Sequence, residues 1–166
     1  MTFSFFTKYR VTAYIEIEKH SNIKYEYDHQ TKQLVVDRIL PYPYFYPFAY
    51  GFIPYTKADD QDELDVLILT DQTCFKNTHY DVYIIGALIM EDEKGMDEKI
   101  LSVLCDEQTN IHDINNISND IKNDIEWFFS NYKSKTEDRW SKVHGFVDRE
   151  KALAIYENSK IHSKNL

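Results

Sequence analysis

The chain has 166 residues, of which 43% are hydrophobic and 28% charged, and a formal net charge of −9. That composition excludes a disordered or collagenous chain. The acidic balance argues against a nucleic-acid partner, whose affinity comes largely from neutralised phosphates, and suits a single domain over residues 1–166 that holds cations.

Taken in chain order, the opening Met-Thr-Phe-Ser-Phe-Phe-Thr-Lys-Tyr-Arg has no basic stretch leading into an apolar core, so a secretory signal is not expected. Val11 to Ile17 alternates strictly, with Val11, Ala13, Ile15 and Ile17 opposite Thr12, Tyr14 and Glu16, which predicts a strand. Ile23 to Tyr27 and Gln33 to Leu40 predict two more. All four prolines fall within fourteen residues, Pro41 to Pro54, in an aromatic stretch read as packing or as a source of Tyr hydroxyls for phosphate oxygens. Arg38 just before it suits a phosphate, because a guanidinium pairs two oxygens at once. Leu64 to Leu69, His79 to Met90 and Lys99 to Leu104 complete the strand candidates. Their short spacing suggests an antiparallel barrel or sandwich. The longest apolar run, Val82 to Met90, is too short for a bilayer crossing of roughly 20 residues, so no membrane partner is expected.

The last third reads as helical. Ser118 is a plausible N-cap for a helix carrying Ile121, Ile125, Phe128, Phe129 and Tyr132, and a second helix begins near Asp148 with Ala152, Leu153, Ile155 and Tyr156 on its apolar side. From about Lys160 onward a frayed tail is expected. Cys74 and Cys105 read as free thiols of a cytoplasmic protein, and the six histidines have no zinc-ligand spacing.

Five acids occupy the seven residues Asp59 to Asp65, directly before an apolar strand, with Asp60, Asp62 and Asp65 forming D-x-D-x-x-D. Such a run is either a solvated acidic loop or a site for a hard divalent cation. It is not an EF-hand, because Leu64 and Asp65 stand where that loop needs Asp/Asn and Gly. A second cluster, Glu91 to Lys99, reads as a hairpin loop with Gly95 in its turn. Alone it blunts an edge; beside the first cluster, Asp92 and Asp97 become candidate ligands and Lys99 a cation for an anionic ligand.

Glu16, Lys24-Tyr25-Glu26, Asp37-Arg38, Tyr46-Pro47, Tyr50-Gly51-Phe52-Ile53, Asp60-x-Asp62-x-x-Asp65, Asp92, Asp97, Lys99 and Tyr132-Lys133, in this order and spacing, resemble the family I soluble inorganic pyrophosphatases over roughly residues 10 to 147. The resemblance implies an α+β, mainly β fold: a five-stranded OB-like closed barrel with flanking C-terminal helices. It implies hydrolysis of pyrophosphate to two phosphates with several Mg2+ ions per site, Mn2+ or Zn2+ being substitutes. By position, Asp60, Asp65 and Asp97 hold the first ion, and Asp65, Asp92 and Asp97 face the others. Glu16 and Glu26 act through waters. Asp62 is the general base for the metal-activated water, and Lys24, Arg38, Tyr50, Lys99, Tyr132 and Lys133 hold the phosphates. The resemblance also implies a homo-oligomer, a hexamer in many bacterial members.

Several residues depart from the family pattern. Gln61 replaces a Gly and Glu63 a Pro in the acidic loop, and Ala49 stands where Asn is common. Trp127, Asn131 and Ser134 stand where many bacterial members carry His, His and Asp at a subunit contact. Trp127 and Trp140 read as packing or interface residues, and Arg139 as a phosphate contact or a surface ion pair. The alternative is a catalytically weakened, metal-binding OB-like module that acts in protein interaction. For Glu16, Lys24 and Glu26 to face one site, a hairpin of the first two strands needs an odd loop or a bulge, since a one-residue slip reverses the face.

Overall fold

The computed structural model describes residues 7–161. Nine strands, β1 (Arg10–Ile17), β2 (Ile23–Asp28), β3 (Gln33–Ile39), β4 (Ala49–Ile53), β5 (Leu64–Ile68), β6 (Thr78–Asp92), β7 (Gly95–Met96), β8 (Lys99–Leu104) and β9 (Ser141–Val147), are joined by two helices, α1 (Asn119–Asn131) and α2 (Arg149–Ser159). The pairing runs β1-β4-β5-β8-β6, and β6 returns to β1, so five strands close on themselves. Closure removes the unpaired edges an open sheet would leave. One pair departs from the expected antiparallel order: β5 and β8 run parallel, with Asp65 opposite Lys99.

Alternate residues of all five ring strands, among them Val11, Ala13, Ile15, Ile53, Val66, Ile68, Val82, Ile84 and Ile100, form one buried cluster, against which Ala152 of α2 packs. A second cluster joins the opposite faces of these strands to the Ile125, Phe128 and Phe129 face of α1. The helix starts where the sequence indicates: the Ser118 side chain accepts the Ile121 N–H, supplying one of the four bonds a helix N-terminus lacks. Asp148 caps α2 in the same way, through the Lys151 N–H.

β1 and β4 approach unusually closely. A Cβ on Gly51 would lie 1.8 Å from the Tyr14 carbonyl oxygen, so only glycine fits between Tyr50 and Phe52. β4 itself was hidden in the Pro-rich aromatic segment. Its five residues are all buried, so no polar/apolar alternation marks it. β9 likewise interrupts the stretch expected to be wholly helical; it pairs with the second half of β6.

The first two strands do not form a hairpin with each other: β2 pairs with β3 in a separate two-stranded sheet. Two irregularities set the facing: one in the β1–β4 ladder between Ile15 and Ile17, one in β2–β3 between Lys24 and Tyr25. β2 is tied to β1 through the Tyr27 N–H, which donates to Glu16 Oε2 at 2.8 Å. The expected hairpin turn forms at Glu93 and Lys94, and Gly95, with φ of +120°, begins β7 just after it, opposite Asp92. At the C-terminus Lys160 bridges to Thr56 and the Ile161 N–H donates to Tyr55 O. Residues 162–166 of the expected tail, and the first six of the N-terminal stretch read for a signal, lie outside the described residues.

Candidate active site

One open cavity of about 230 Å3 lies at the barrel rim between the β2–β3 hairpin, the acidic turns and the end of α1. A water's share of liquid volume is about 30 Å3, so the cavity takes a polyatomic ligand. Every residue given a metal, catalytic or phosphate role in the sequence lines it. Glu16 is the penultimate residue of β1, Lys24 and Glu26 lie on β2, Arg38 on β3 and Tyr50 on β4. Asp60 and Asp62 lie on the β4–β5 turn and Asp65 on β5. Asp92 ends β6, Asp97 lies just before β8 and Lys99 begins it, and Tyr132 and Lys133 follow α1.

The cations are paired with the acids. Lys99 Nζ lies 2.9 Å from Asp65 Oδ2, 3.1 Å from both Asp97 oxygens and 2.9 Å from the Tyr50 hydroxyl. Lys133 Nζ donates to Asp92 Oδ2 at 2.9 Å, and Lys24 Nζ to Asp37 Oδ2 at 2.7 Å. Arg38 differs. Its Nη1 reaches Thr136 Oγ1 at 3.4 Å, while its buried Nε and Nη2 have no partner. Buried donors rarely stay unpaired, so this guanidinium is suited to a ligand that supplies oxygens.

The acids crowd one another. Burial raises the Glu16 carboxyl to about 8, with Asp65 and Glu26 adding to the shift against the Tyr27 N–H and Lys24. Burial also raises Asp97, despite Lys99, with Asp65 contributing; Asp60 rises through burial and the charges of Asp97 and Asp62. Burial opposes the Lys99 charge, but Asp65 and Asp97 outweigh it and lift its pKa well above the ordinary value. Burial pushes Tyr50 and Tyr132 up, which keeps both hydroxyls protonated and able to donate.

Among the described residues, no three carboxylate, imidazole or thiol groups are gathered as a ready-made ion site. Asp60, Asp65 and Asp97 share a wall without converging on one point, and the Lys99 ammonium lies between Asp65 and Asp97. The donor set still fits a hard divalent cation: it is all oxygen, and the raised Asp60 and Asp97 carboxyls are what added positive charge would lower.

Sequence reasoning passed over Glu93, Lys94 and His29, which face the cavity. Asp37, noted beside Arg38 but given no role, and Glu63, noted as a departure in the acidic loop, face it as well. Arg139, weighed between two roles, lies among the lining residues, and its charge together with the Lys24 bond and Arg38 outweighs burial and lowers the Asp37 carboxyl. Gln61 has φ of +73°, the left-handed region in which the family pattern places a glycine.

A sequence model described as inorganic pyrophosphatase matches residues 13–164. The chain is 40% identical over 149 residues to an inorganic pyrophosphatase of Helicobacter pylori strain J99, covering 87% of this chain and 86% of that protein. It is 41% identical over 143 residues to an inorganic pyrophosphatase of Thermus thermophilus, covering 84% and 82%. A solved structure of the Helicobacter pylori inorganic pyrophosphatase superposes with a TM-score of 0.89 at 37% identity, covering 93% of each chain.

Proposed function

The chain belongs to the inorganic pyrophosphatase family, an enzyme family acting on diphosphate, and on that premise we propose that the rim cavity is where it hydrolyses pyrophosphate, with Mg2+ as the cation. Members of this family depend on divalent metal ions. In this reading Asp60, Asp65 and Asp97 hold the first ion, Asp65, Asp92 and Asp97 serve further ions, and Glu16 and Glu26 act through intervening waters. Bound there, Mg2+ supplies charge neutralisation at phosphate oxygens and a more acidic attacking water; Mn2+ or Zn2+ are substitutes of the same charge.

The chain's own residues do the rest. Pyrophosphate resists attack because its negative oxygens repel a nucleophile. Lys24, Arg38, Tyr50, Lys99, Tyr132 and Lys133 bind those oxygens and spread their charge. Asp62 takes a proton from the water as its oxygen forms a bond to one phosphorus. The bridging P–O bond breaks, and its electron pair leaves on the second phosphate, where the lysines and Arg38 offset the new charge.

The observation that carries this reading is the meeting of all these acids and cations in one cavity, with two unpartnered guanidinium nitrogens of Arg38 among them. Its test is phosphate release from pyrophosphate by the purified chain: release that rises with added Mg2+ and stops on chelation supports it, and no release at any Mg2+ concentration overturns it.

A second reading, a weakened metal-binding module acting in protein interaction, draws on the non-glycine Gln61 at positive φ and the extra carboxylate of Glu63. Calorimetry that finds metal binding without turnover would select it. We further propose that the chain works in the cytoplasm as a homo-oligomer, without nucleic acid or membrane. No helix among the described residues is long and apolar enough to cross a bilayer. A hexameric contact would involve Trp127, half-exposed beside Tyr44, whereas the Asn131 side chain is spent on the Trp127 carbonyl of its own helix.

A further inference from the structure

His29 and Glu63, to which the reading above gives no role, meet across the mouth of the cavity. His29 Nε2 lies 2.5 Å from Glu63 Oε1. His29 follows β2 in the turn of the β2–β3 hairpin, and Glu63 is the last residue of the acidic turn before β5. The pair thus spans from the wall that carries Lys24 and Glu26 to the turn that carries Asp60 and Asp62.

The acidic turn fixes its own shape locally. The Ala58 N–H donates to Asp62 O at 2.8 Å, the Gln61 N–H to Ala58 O at 3.0 Å and the Asp62 N–H to Asp60 Oδ1 at 3.1 Å. None of these bonds sets where the turn sits relative to the opposite wall. Charge works against closure, because Asp60, Asp62, Glu63 and Asp65 face Glu26 across the cavity. The His29 end is well placed to resist that repulsion. Its ring meets Tyr27 edge-on at 4.9 Å and lies 6.4 Å from Phe52 of β4, and the Tyr27 N–H is bonded to Glu16 on β1. The imidazole is therefore braced against the barrel, and Glu63 is the part of the loop it holds.

We propose that His29 and Glu63 are positioning residues, a latch that holds the Asp60–Asp65 segment at the distance from the β2 wall that cation binding needs. The inference rests on the reading of this cavity as a metal-dependent pyrophosphatase site. It gives a use to Glu63, which stands where the family pattern has proline and which would otherwise only add repulsion. A polar contact with one partner this exposed adds little to global stability, so its effect falls on local loop placement rather than on the melting temperature.

The test is calorimetric titration of the metal-free full chain with MgCl2 alone, for the wild type, His29→Ala, Glu63→Ala, the double variant and Glu63→Gln, alongside hydrogen exchange of amides 59–63. Each single alanine variant is expected to weaken Mg2+ binding about fivefold and to speed exchange in the turn, the double variant to be no weaker than either single, and Glu63→Gln, which still accepts from the imidazole, to stay near wild type. Unchanged melting temperatures would separate this from general destabilisation. Wild-type binding with unaltered affinity and exchange in the variants, or losses that multiply in the double variant, would overturn the latch alone. Absence of Mg2+ binding by the wild type would overturn both the latch and the reading beneath it.

Discussion

Lys99 donates to both carboxylate oxygens of Asp97, 3.1 Å from each, although its side chain is only 1% exposed. With Asp65 opposite Lys99 across the parallel β5–β8 ladder, the ammonium is the positive charge that holds the buried Asp97 and the partly exposed Asp65 together.

Removing that charge should be costly without metal and less so with it. Breaking a buried ion pair leaves uncompensated charge and costs roughly 3–5 kcal/mol; partial exposure of Asp65 favours the lower end. Lys99→Met is expected to lose about 3 kcal/mol in urea unfolding of the metal-free chain. Saturating Mg2+ should recover much of the loss, because it binds the folded carboxylates and not the unfolded chain. Phosphate release should fall in both conditions.

Glu16 carries a pH signature. Its carboxyl is raised from 4.5 to about 8, chiefly by burial. Between those values the folded chain binds a proton that the unfolded chain does not, so this group's contribution to stability is full below pH 4.5 and is lost as pH rises through 8. Glu16→Gln should therefore match the wild type near pH 4 and melt higher than metal-free wild type at pH 8.5, while losing activity. Thermal melts across that range without metal check it.

These outcomes depend on tertiary pairings that only part of the sequence foretold. The alternation of β1, the Ser118 cap with its Ile125/Phe128/Phe129 stripe, and the Asp60-x-Asp62-x-x-Asp65 spacing were legible because each is a local pattern. β4 was not, since a strand buried on both faces leaves no alternation to read. The β2–β3 hairpin was not legible either, and the register shifts in the β1–β4 and β2–β3 ladders, invisible in composition, accompany the meeting of Glu16, Lys24 and Glu26 in one cavity. Asp37, Glu93 and Lys94 gain their place only when distant strands and turns meet.

Gln61 carries a conformational cost. A non-glycine residue in the left-handed region costs roughly 1–2 kcal/mol, and glycine's extra freedom in the unfolded chain returns about 0.4–1 kcal/mol of that. Gln61→Gly is expected to stabilise the chain by about 0.5 kcal/mol in urea unfolding, with phosphate release kept or raised. Lost stability would show that the Gln61 side chain, whose amide donates to Asp59 O at 3.1 Å, matters more than backbone strain.

The most direct measurement is the initial rate of phosphate release from pyrophosphate by Asp65→Ala and Asp97→Ala beside the wild type, over one Mg2+ titration. The account predicts Mg2+-dependent release by the wild type and a loss of at least about a hundredfold in each variant, the scale of a missing electrostatic contact to the transition state. Release by either variant at the wild-type rate would contradict it.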